Sequence, residues 1–139
     1  FDLQSCFHSR NELNSTLTYD FKNFRVVPQS YSIRTNPWGG KGHYHLMSWV
    51  LEASNDEINW VTLDKKIEDK SLDMINSENN FKSNRIAKDD DDNAMSFRFI
   101  RIRNIGQNSG SNQILNNVMN IGAIEFFGKL ISTSSYRYL

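Results

Sequence analysis

The feature that most constrains the fold is a recurring alternation of apolar and polar residues in short segments. In the segment SWVLEAS at residues 48–54, the alternation would place Trp49, Leu51 and Ala53 on one face of an extended strand. A period of two residues is typical of a strand that buries one face. Similar segments occupy residues 16–21, 30–34, 60–63, 97–105 and 121–128, and a weaker one occupies residues 80–88. Because only residues 112–120 could form a helical turn, these segments predict an all-β sandwich or barrel.

Length and charge limit the kinds of function that the chain can have. Its 139 residues suffice for one domain with a single core. The formal net charge is zero, so no global attraction to nucleic acid or to an anionic membrane is expected. No apolar run reaches the length of a membrane span. Cys6 is the single cysteine, which excludes an intrachain disulfide and favours a reducing, cytoplasmic compartment over an extracellular one.

Residues 48–64, SWVLEASNDEINWVTLD, predict a hairpin with a tryptophan on each strand. The turn at residues 54–57 consists of polar side chains, several of which are short enough to bond to the nearby backbone. We expect both Trp49 and Trp60 to lie in the core, so that Trp60→Ala would cost roughly 3–5 kcal/mol. A catalytic role for Asp56 would need a second acid, a base or a metal ligand, and this segment supplies none.

Three segments, in order along the chain, resemble the discoidin family, the C-type domains of coagulation factors V and VIII. The hairpin resembles the family pattern W-x-[aliphatic]-x-x-S-x-D-G-x-x-W, SFRFIRIRNIG resembles its Arg-aromatic-aliphatic-Arg strand, and IGAIEFFGKL resembles its closing strand. These segments are most similar to intracellular discoidin-like domains of protists, which often adjoin BTB-type domains. The resemblance covers residues 1–130 and implies a jelly-roll β-sandwich of the galactose-binding type.

The chain departs from this family at two points. Glu57 replaces the usual turn glycine, which would strain the backbone if the position requires a positive φ. The cysteines that link many extracellular members are absent, in agreement with a reducing compartment. We expect the discoidin-like domain to span residues 1–131, with its first strand upstream of Phe1, and residues 132–139 to form a linker.

The resemblance also implies a candidate metal site. Relatives with the galactose-binding fold often hold a structural calcium between a Glu on the closing strand and an early Asp-containing loop, and Glu125 and Asp2 resemble those positions. Oxygen ligands from both ends of the chain would stabilise the sandwich without a catalytic role. Many family members lack the ion, so we expect either no cofactor or this one calcium. His43 and His45 would need a third ligand to bind a metal, and packing or solvent exposure is favoured for them.

Residues 36–45, NPWGGKGHYH, form the predicted recognition loop. Its proline and glycines prevent regular strand structure and let the backbone approach a partner closely. Trp38 would anchor the partner, and Lys41, His43 and Tyr44 would surround it with hydrogen-bond donors. The alternative is that Trp38 folds back over the end of the sandwich, in which case the binding surface moves to residues 106–113, GQNSGSNQ.

Charged clusters elsewhere are interpreted as structural. The arginines of SFRFIRIRNIG should form ion pairs within the sandwich, with Asp20 or Glu125 among their partners. The acidic run at residues 89–92 lacks the alternate spacing and the glycine turn of a calcium loop, so we expect a solvated loop.

These observations favour a non-catalytic binding module over an enzyme. The main hypothesis is docking to a protein partner within a larger intracellular assembly, such as a cytoskeletal or axonemal one. The alternative is a lectin-like carbohydrate-binding domain, which would need an exposed aromatic side chain flanked by hydrogen-bonding groups at the loop end. An enzyme has no supporting constellation, because Cys6 would need a histidine base that the sequence cannot place beside it.

Overall fold

The structure, a computed structural model, describes residues 6–36, 40–74, 78–82, 93–110 and 114–133. The regular elements in these ranges are all strands, as the alternation predicts. They are β1 (Phe7–His8), β2 (Thr16–Asp20), β3 (Phe24–Arg34), β4 (Trp49–Ser54), β5 (Val61–Lys66), β6 (Glu78–Lys82), β7 (Phe99–Asn104), β8 (Asn120–Ile121) and β9 (Ala123–Ser132). A helix long and apolar enough to cross a membrane is not found in the described ranges.

The strands form two larger antiparallel sheets and one short pair. The four-stranded sheet has the order β2-β7-β4-β5, the three-stranded sheet has the order β6-β3-β9, and β1 pairs with β8. Side chains from both sheets contribute to one buried apolar cluster. The predicted all-β sandwich is therefore confirmed.

A chain of hydrogen bonds crosses the core between the two sheets. Nε1 of Trp49 on β4 donates to the hydroxyl of Tyr31 on β3 at 2.9 Å, and that hydroxyl donates to Oδ2 of Asp64 on β5 at 2.7 Å. Phe81 on β6 stacks on Tyr31 and meets the Trp49 ring edge to face. Burial, and to a smaller extent the hydrogen bond to Asp64, raises the pKa of Tyr31 well above its usual range. The hydroxyl therefore stays protonated and remains a donor.

Two strands of the three-stranded sheet are longer than the sequence indicates. β3 begins at Phe24 rather than near residue 30, and β9 continues to Ser132 rather than ending near residue 128. The register between them shifts just after Pro28, which lacks an N–H and interrupts the alternation. Gly128 lies opposite Pro28, and a Cβ there would collide with the backbone of β3. The alternation thus identified only part of β3, because the bulge after Pro28 changes which residues of the strand face the core.

The strand register shows at which end of the sandwich each connecting segment lies. β4 begins at Trp49 opposite Asn104, the last residue of β7, and β3 ends at Arg34 opposite Ala123, the first residue of β9. We call the end at which these residues lie the apical end. Its connections are the described parts of residues 35–48, 67–77 and 105–119, whereas the turns at residues 21–23 and 55–60 lie at the opposite end.

The hairpin predicted around residues 54–60 is confirmed. Oγ of Ser54 accepts the backbone N–H of Asp56 and of Glu57, at 3.2 and 3.0 Å. The Asp56 carboxylate accepts the backbone N–H of Asn59 and of Ile58, and these bonds lower its pKa. Glu57 has a φ of 60°, so the chain tolerates a non-glycine residue in the left-handed region at the position where the family has glycine.

The sequence prediction that Trp60 lies in the core is wrong. Trp60 is only partly buried, and the guanidinium carbon of Arg101 lies 3.7 Å from the centroid of its ring. Because Ala53 pairs with Val61 across the hairpin, Trp60 stands opposite Ser54, on the outer face of the four-stranded sheet. The strand pairing therefore places Trp49 on the inner face of this sheet and Trp60 on its outer face.

Arginines of β7 form ion pairs on the same outer face. Arg101 and Arg103 both bind the carboxylate of Glu52, with N–O distances of 2.6 and 2.7 Å. The expected partner Glu125 lies on the other sheet and does not take part in these pairs. Burial alone would raise the pKa of Glu52, but hydrogen bonds from Arg103 and Arg101 outweigh it, so the pKa is lowered and Glu52 remains ionised.

We expect the two tryptophans to differ in their effect on stability. Trp49→Ala should lower the free energy of unfolding by roughly 3–5 kcal/mol, because it empties a fully buried site. Trp60→Ala should cost only about 1 kcal/mol, since it removes a cation–π contact with Arg101. Chemical denaturation measures both losses, and Trp49→Phe replaces the alanine variant if that variant does not fold. Equal losses at the two positions would contradict an outer position for Trp60.

The sequence predicts that the arginines of residues 96–106 pair within the sandwich with Asp20 or Glu125 among their partners, and Arg98 forms such a pair with Asp20 at an Nε–Oδ1 distance of 2.8 Å. Hydrogen bonds from Arg98, and then from the backbone of Lys22, lower the pKa of Asp20 from 3.8 to about 2. Because the pKa of Asp20 is lower in the folded state, the contribution of the ion pair to stability is present above the unfolded-state pKa. It is lost as the pH falls towards 2. Melting midpoints of wild type and Asp20→Asn should therefore converge over that range. A carboxyl pKa near 3.8 by NMR titration would show that the pair is not formed in solution.

Candidate functional site

A cleft of about 230 Å³ opens at the apical end. It lies between the segment 40–45, which leads into β4, and the segment 114–120, which leads into β8. We call it the apical cleft, and it is lined by His8, Asn36, His43, Tyr44, Leu115, Val118 and Asn120. These seven residues include no Asp, Glu, Lys or Arg, so the lining combines aromatic, aliphatic and amide groups without a fixed charge.

Tyr44 has a backbone conformation that aromatic residues seldom adopt, with a φ of 60°. Its ring packs against Gly110, where a Cβ would collide with it. The ring also meets that of His43 edge to face, with 5.3 Å between the centroids. A strained residue of this kind persists only when its surroundings hold it in place, and such residues concentrate at functional sites. This backbone conformation thus places the aromatic ring in the cleft wall.

The two segments that the sequence offers as alternative binding surfaces pack against each other. The backbone N–H of Ser109 donates to the carbonyl of His45, and the N–H of His45 donates to Oγ of Ser109, both at 2.9 Å. The buried ring of His45 donates from Nε2 to the carbonyl of Gly40 at 2.9 Å. His45 is therefore a packing residue that fixes the loop, as the sequence favoured. The described parts of the two segments therefore belong to one surface.

The connection after β5 forms a third part of the apical end. Oδ1 of Asp73 accepts the backbone N–H of Gly42 at 2.7 Å, and Oγ1 of Thr35 donates to the carbonyl of Met74 at 2.6 Å. Both contacts join this connection to the segment that carries His43 and Tyr44. The loop that lines the cleft is consequently attached on two sides.

Buried Asn108 holds the apolar wall of the cleft in place. Its Nδ2 donates to the carbonyls of Leu115 and Val118, at 3.0 and 2.9 Å, while its Oδ1 accepts the N–H of Gly110 at 2.9 Å. One side chain therefore fixes both the aliphatic wall and the glycine on which the Tyr44 ring rests.

Asn120 contributes a buried polar atom to the cleft. It pairs with His8 in the register between β8 and β1, and both residues line the cleft. Asn120 is 7 % exposed, and its Oδ1 makes no hydrogen bond within the described part of the chain. Buried polar atoms without a partner are rare and costly, so a ligand that donates to this oxygen would be stabilised.

Two of the four residues predicted to bind a partner line the apical cleft. These are His43 and Tyr44. Lys41 is exposed on the neighbouring turn and is not part of the lining. Trp38 lies outside the described residues, so its roles as anchor or as plug both stay predictions.

Among the other lining residues, Asn36 belongs to the predicted recognition loop, but sequence reasoning did not single out His8, Leu115, Val118 and Asn120. Their separation along the chain explains why. His8 and Asn120 meet only because β1 pairs with β8, and strands this short have no alternation to detect. The one usable signal was the polar segment 106–113, which lies beside the aliphatic wall.

Cys6 has a histidine beside it that the sequence could not place. Its Sγ lies 2.9 Å from Nε2 of His8. Burial raises the pKa of the Cys6 thiol, which disfavours the thiolate that a nucleophile requires.

The expected calcium site is only partly described. Glu125 is exposed on β9, between Ile124 and Phe126, which pack against the core. Asp2 lies outside the described residues. Among the residues that are described, no group of three or more His, Cys, Asp or Glu side chains could hold a metal ion. Glu125 alone does not make a calcium site, and the ion stays a prediction.

Comparison with known proteins finds similarity in structure only. No family model and no curated protein matches the sequence. One similar structure is CpGH89CBM32-5 from Clostridium perfringens, in complex with GalNAc-β-1,3-galactose, with 12 % identity, 91 % of this chain and 78 % of that chain covered, and a TM-score of 0.63. A second is CBM32-3 from a family 31 glycoside hydrolase of the same organism, with 14 % identity, coverage of 92 % and 78 %, and a TM-score of 0.65.

A third similar structure is the family 32 carbohydrate-binding module from Streptococcus pneumoniae EndoD, with 10 % identity, coverage of 92 % and 80 %, and a TM-score of 0.64. These three modules have the discoidin-like, galactose-binding fold, and the chain shares it. The fold that the sequence resemblance implied is therefore confirmed. At such low identity the likeness concerns the fold alone.

We expect Asn108→Asp to loosen the apical cleft. The substitution preserves the shape and the acceptor for Gly110 but removes the two donations to Leu115 and Val118. The Leu115 carbonyl keeps the N–H of Val118, but the Val118 carbonyl loses its donor from Asn108, so the free energy of unfolding should fall by roughly 1–3 kcal/mol. Chemical denaturation measures the loss, and the exposed neighbour Gln107→Glu is a control expected to stay within about 0.5 kcal/mol of wild type. An unchanged stability of Asn108→Asp would show that Asn108 does not fix the wall.

Proposed function

We propose that the chain is a non-catalytic carbohydrate-binding module that takes a neutral sugar in the apical cleft. The observation that carries the proposal is the combination of a strained aromatic residue, Tyr44, with an aliphatic wall at Leu115 and Val118. A pyranose ring has an apolar C–H face and a rim of hydroxyl groups. Binding sites with an apolar lining and a few placed polar groups fit a molecule of this kind.

The polar groups of the cleft match the rim of such a ring. Asn120 lines the cleft, and its carboxamide, whose Oδ1 has no partner in the described chain, would turn to accept a sugar hydroxyl. His43 and the hydroxyl of Tyr44 add groups that can both donate and accept. The described lining residues carry no fixed charge to pair with a charged ligand, which favours a neutral sugar over an acidic one.

The structural comparisons support carbohydrate binding over the protein docking that the sequence favoured. Each of the similar structures described above is a carbohydrate-binding module by its name, and CpGH89CBM32-5 is in complex with a disaccharide. The sequence argument for docking depended on cysteine usage and on the resemblance to intracellular discoidin-like domains, with Trp38 as the predicted anchor. The first two concern the compartment rather than the ligand, and Trp38 lies outside the described residues.

A glycan array followed by titration calorimetry tests the proposal. Wild-type protein should bind one or more neutral glycans. Tyr44→Ala should weaken that binding at least tenfold, about 1.4 kcal/mol, because it removes the ring that packs on the sugar.

The matched control is Phe127→Ala, since Phe127 is an exposed aromatic residue that lies on β9 and outside the cleft. Its binding should equal that of wild type. A blank array, or equal losses in Tyr44→Ala and Phe127→Ala, would overturn the proposal.

A further inference from the structure

A second cleft lies at the apical end beside the apical cleft, and no described residue lines both. Its volume is about 320 Å³, and we call it the side cleft. It is lined by Met47, Ser48, Ile67, Glu68, Ile105, Gly106, Gln107 and Asn108. The lining comes from the residues before β4, the residues after β5 and the residues after β7.

The side cleft and the apical cleft share one wall. Tyr44 lines the apical cleft and Met47 lines the side cleft, and three residues of chain keep their Cα atoms within roughly 11 Å. In the connection after β7, Asn108 lines the side cleft. It donates to the carbonyls of Leu115 and Val118, which line the apical cleft. A molecule of two to four sugar units is long enough to reach from one cleft into the other.

The floor of the side cleft is closely packed. A Cβ on Gly106 would come within 2.8 Å of the Cβ of Ser48, so only glycine fits there without a shift. Oγ of Ser48 accepts the backbone N–H of Glu68 at 2.9 Å, and the carbonyl of Ser48 accepts the N–H of Ile105 at 3.1 Å. The concave shape is therefore built by the backbone rather than by mobile side chains.

Two polar side chains of the lining are left without interactions in the described chain. Glu68 and Gln107 are exposed, and their carboxylate and carboxamide make no hydrogen bond or ion pair within the described chain. The backbone of Glu68 is in the left-handed region, with a φ of 48°, a conformation uncommon for residues other than glycine. A carboxylate accepts and a carboxamide both donates and accepts, which is the set that adjacent hydroxyl groups require.

Apolar residues of the lining complete the match. They are Ile67, which is 59 % exposed, Met47 and Ile105. A sugar ring that lays its C–H face on these residues would present hydroxyls to Glu68 and Gln107. The negative charge of Glu68 disfavours a ligand that carries a carboxylate or sulfate.

We infer that the side cleft is a second subsite, so that the ligand is a neutral oligosaccharide of at least two units bound across the shared wall. This inference rests on the proposed function, because the apical cleft must hold the first sugar unit. It goes beyond that function in naming the length and the charge class of the ligand.

A chain-length series tests the inference by calorimetry. The probes are galactose, GalNAc-β-1,3-galactose and a neutral tetrasaccharide that ends in this disaccharide, with length-matched series of gluco- and manno-oligosaccharides. In the series that binds, affinity should rise roughly tenfold or more from one unit to the longer probes, the effect of a charge-assisted hydrogen bond. The double variant Glu68→Ala/Gln107→Ala should lose this gain and keep the wild-type affinity for the single unit.

The control is Lys70→Ala, an exposed position on the same connection and outside the lining, which should keep the gain. Equal affinities for all lengths, or a gain that survives in the double variant, would overturn the second subsite and leave the proposed function intact. If no probe binds and the array is blank, both the proposed function and the subsite are wrong.

Discussion

The rest of the structure depends on the hydrogen-bonded chain that runs from Trp49 through Tyr31 to Asp64. Asp64 is 2 % exposed, and a buried carboxylate is costly unless it is paired and hydrogen-bonded. The Tyr31 hydroxyl and Lys66, whose Nζ lies 3.6 Å from Oδ2, supply these partners. Because Trp49 and Asp64 belong to one sheet and Tyr31 to the other, the two sheets can satisfy these groups only at one spacing and one register.

The apical end takes its geometry from this core. Trp49 is the first residue of β4, so the segment containing His45 and Ser48 leaves the core from a fixed point. The bonds of Ser48 to Glu68 and to Ile105 then carry that fixed position to the neighbouring connections. The cleft walls are short loops supported by rigid strands, an arrangement that holds ligand groups accurately.

Much of the fold could be predicted from the sequence, because alternation and turn chemistry are local. The hairpin around Asp56 belongs to this class. The Arg98–Asp20 pair joins residues 78 positions apart, and the sequence indicated only that the arginines of residues 96–106 would pair within the sandwich. Trp60 was misplaced because its face depends on the pairing of Ala53 with Val61, which residue type does not reveal. For the site, the sequence identified His43 and Tyr44 from loop composition. It could not identify Asn120, whose partner strand is more than a hundred residues away.

The pairing of β1 with β8 has a consequence for how the molecule reaches its folded state. His8 pairs with Asn120, the N–H of Ser9 donates to the carbonyl of Met119, and the N–H of Asn117 donates to Oδ1 of Asn11. Each contact closes a loop of more than a hundred residues, and the entropic cost of that closure must be met before the contact contributes. Chains dominated by such non-local contacts fold slowly. The apical cleft, which contains His8 and Asn120, is therefore complete only when the whole sandwich has closed.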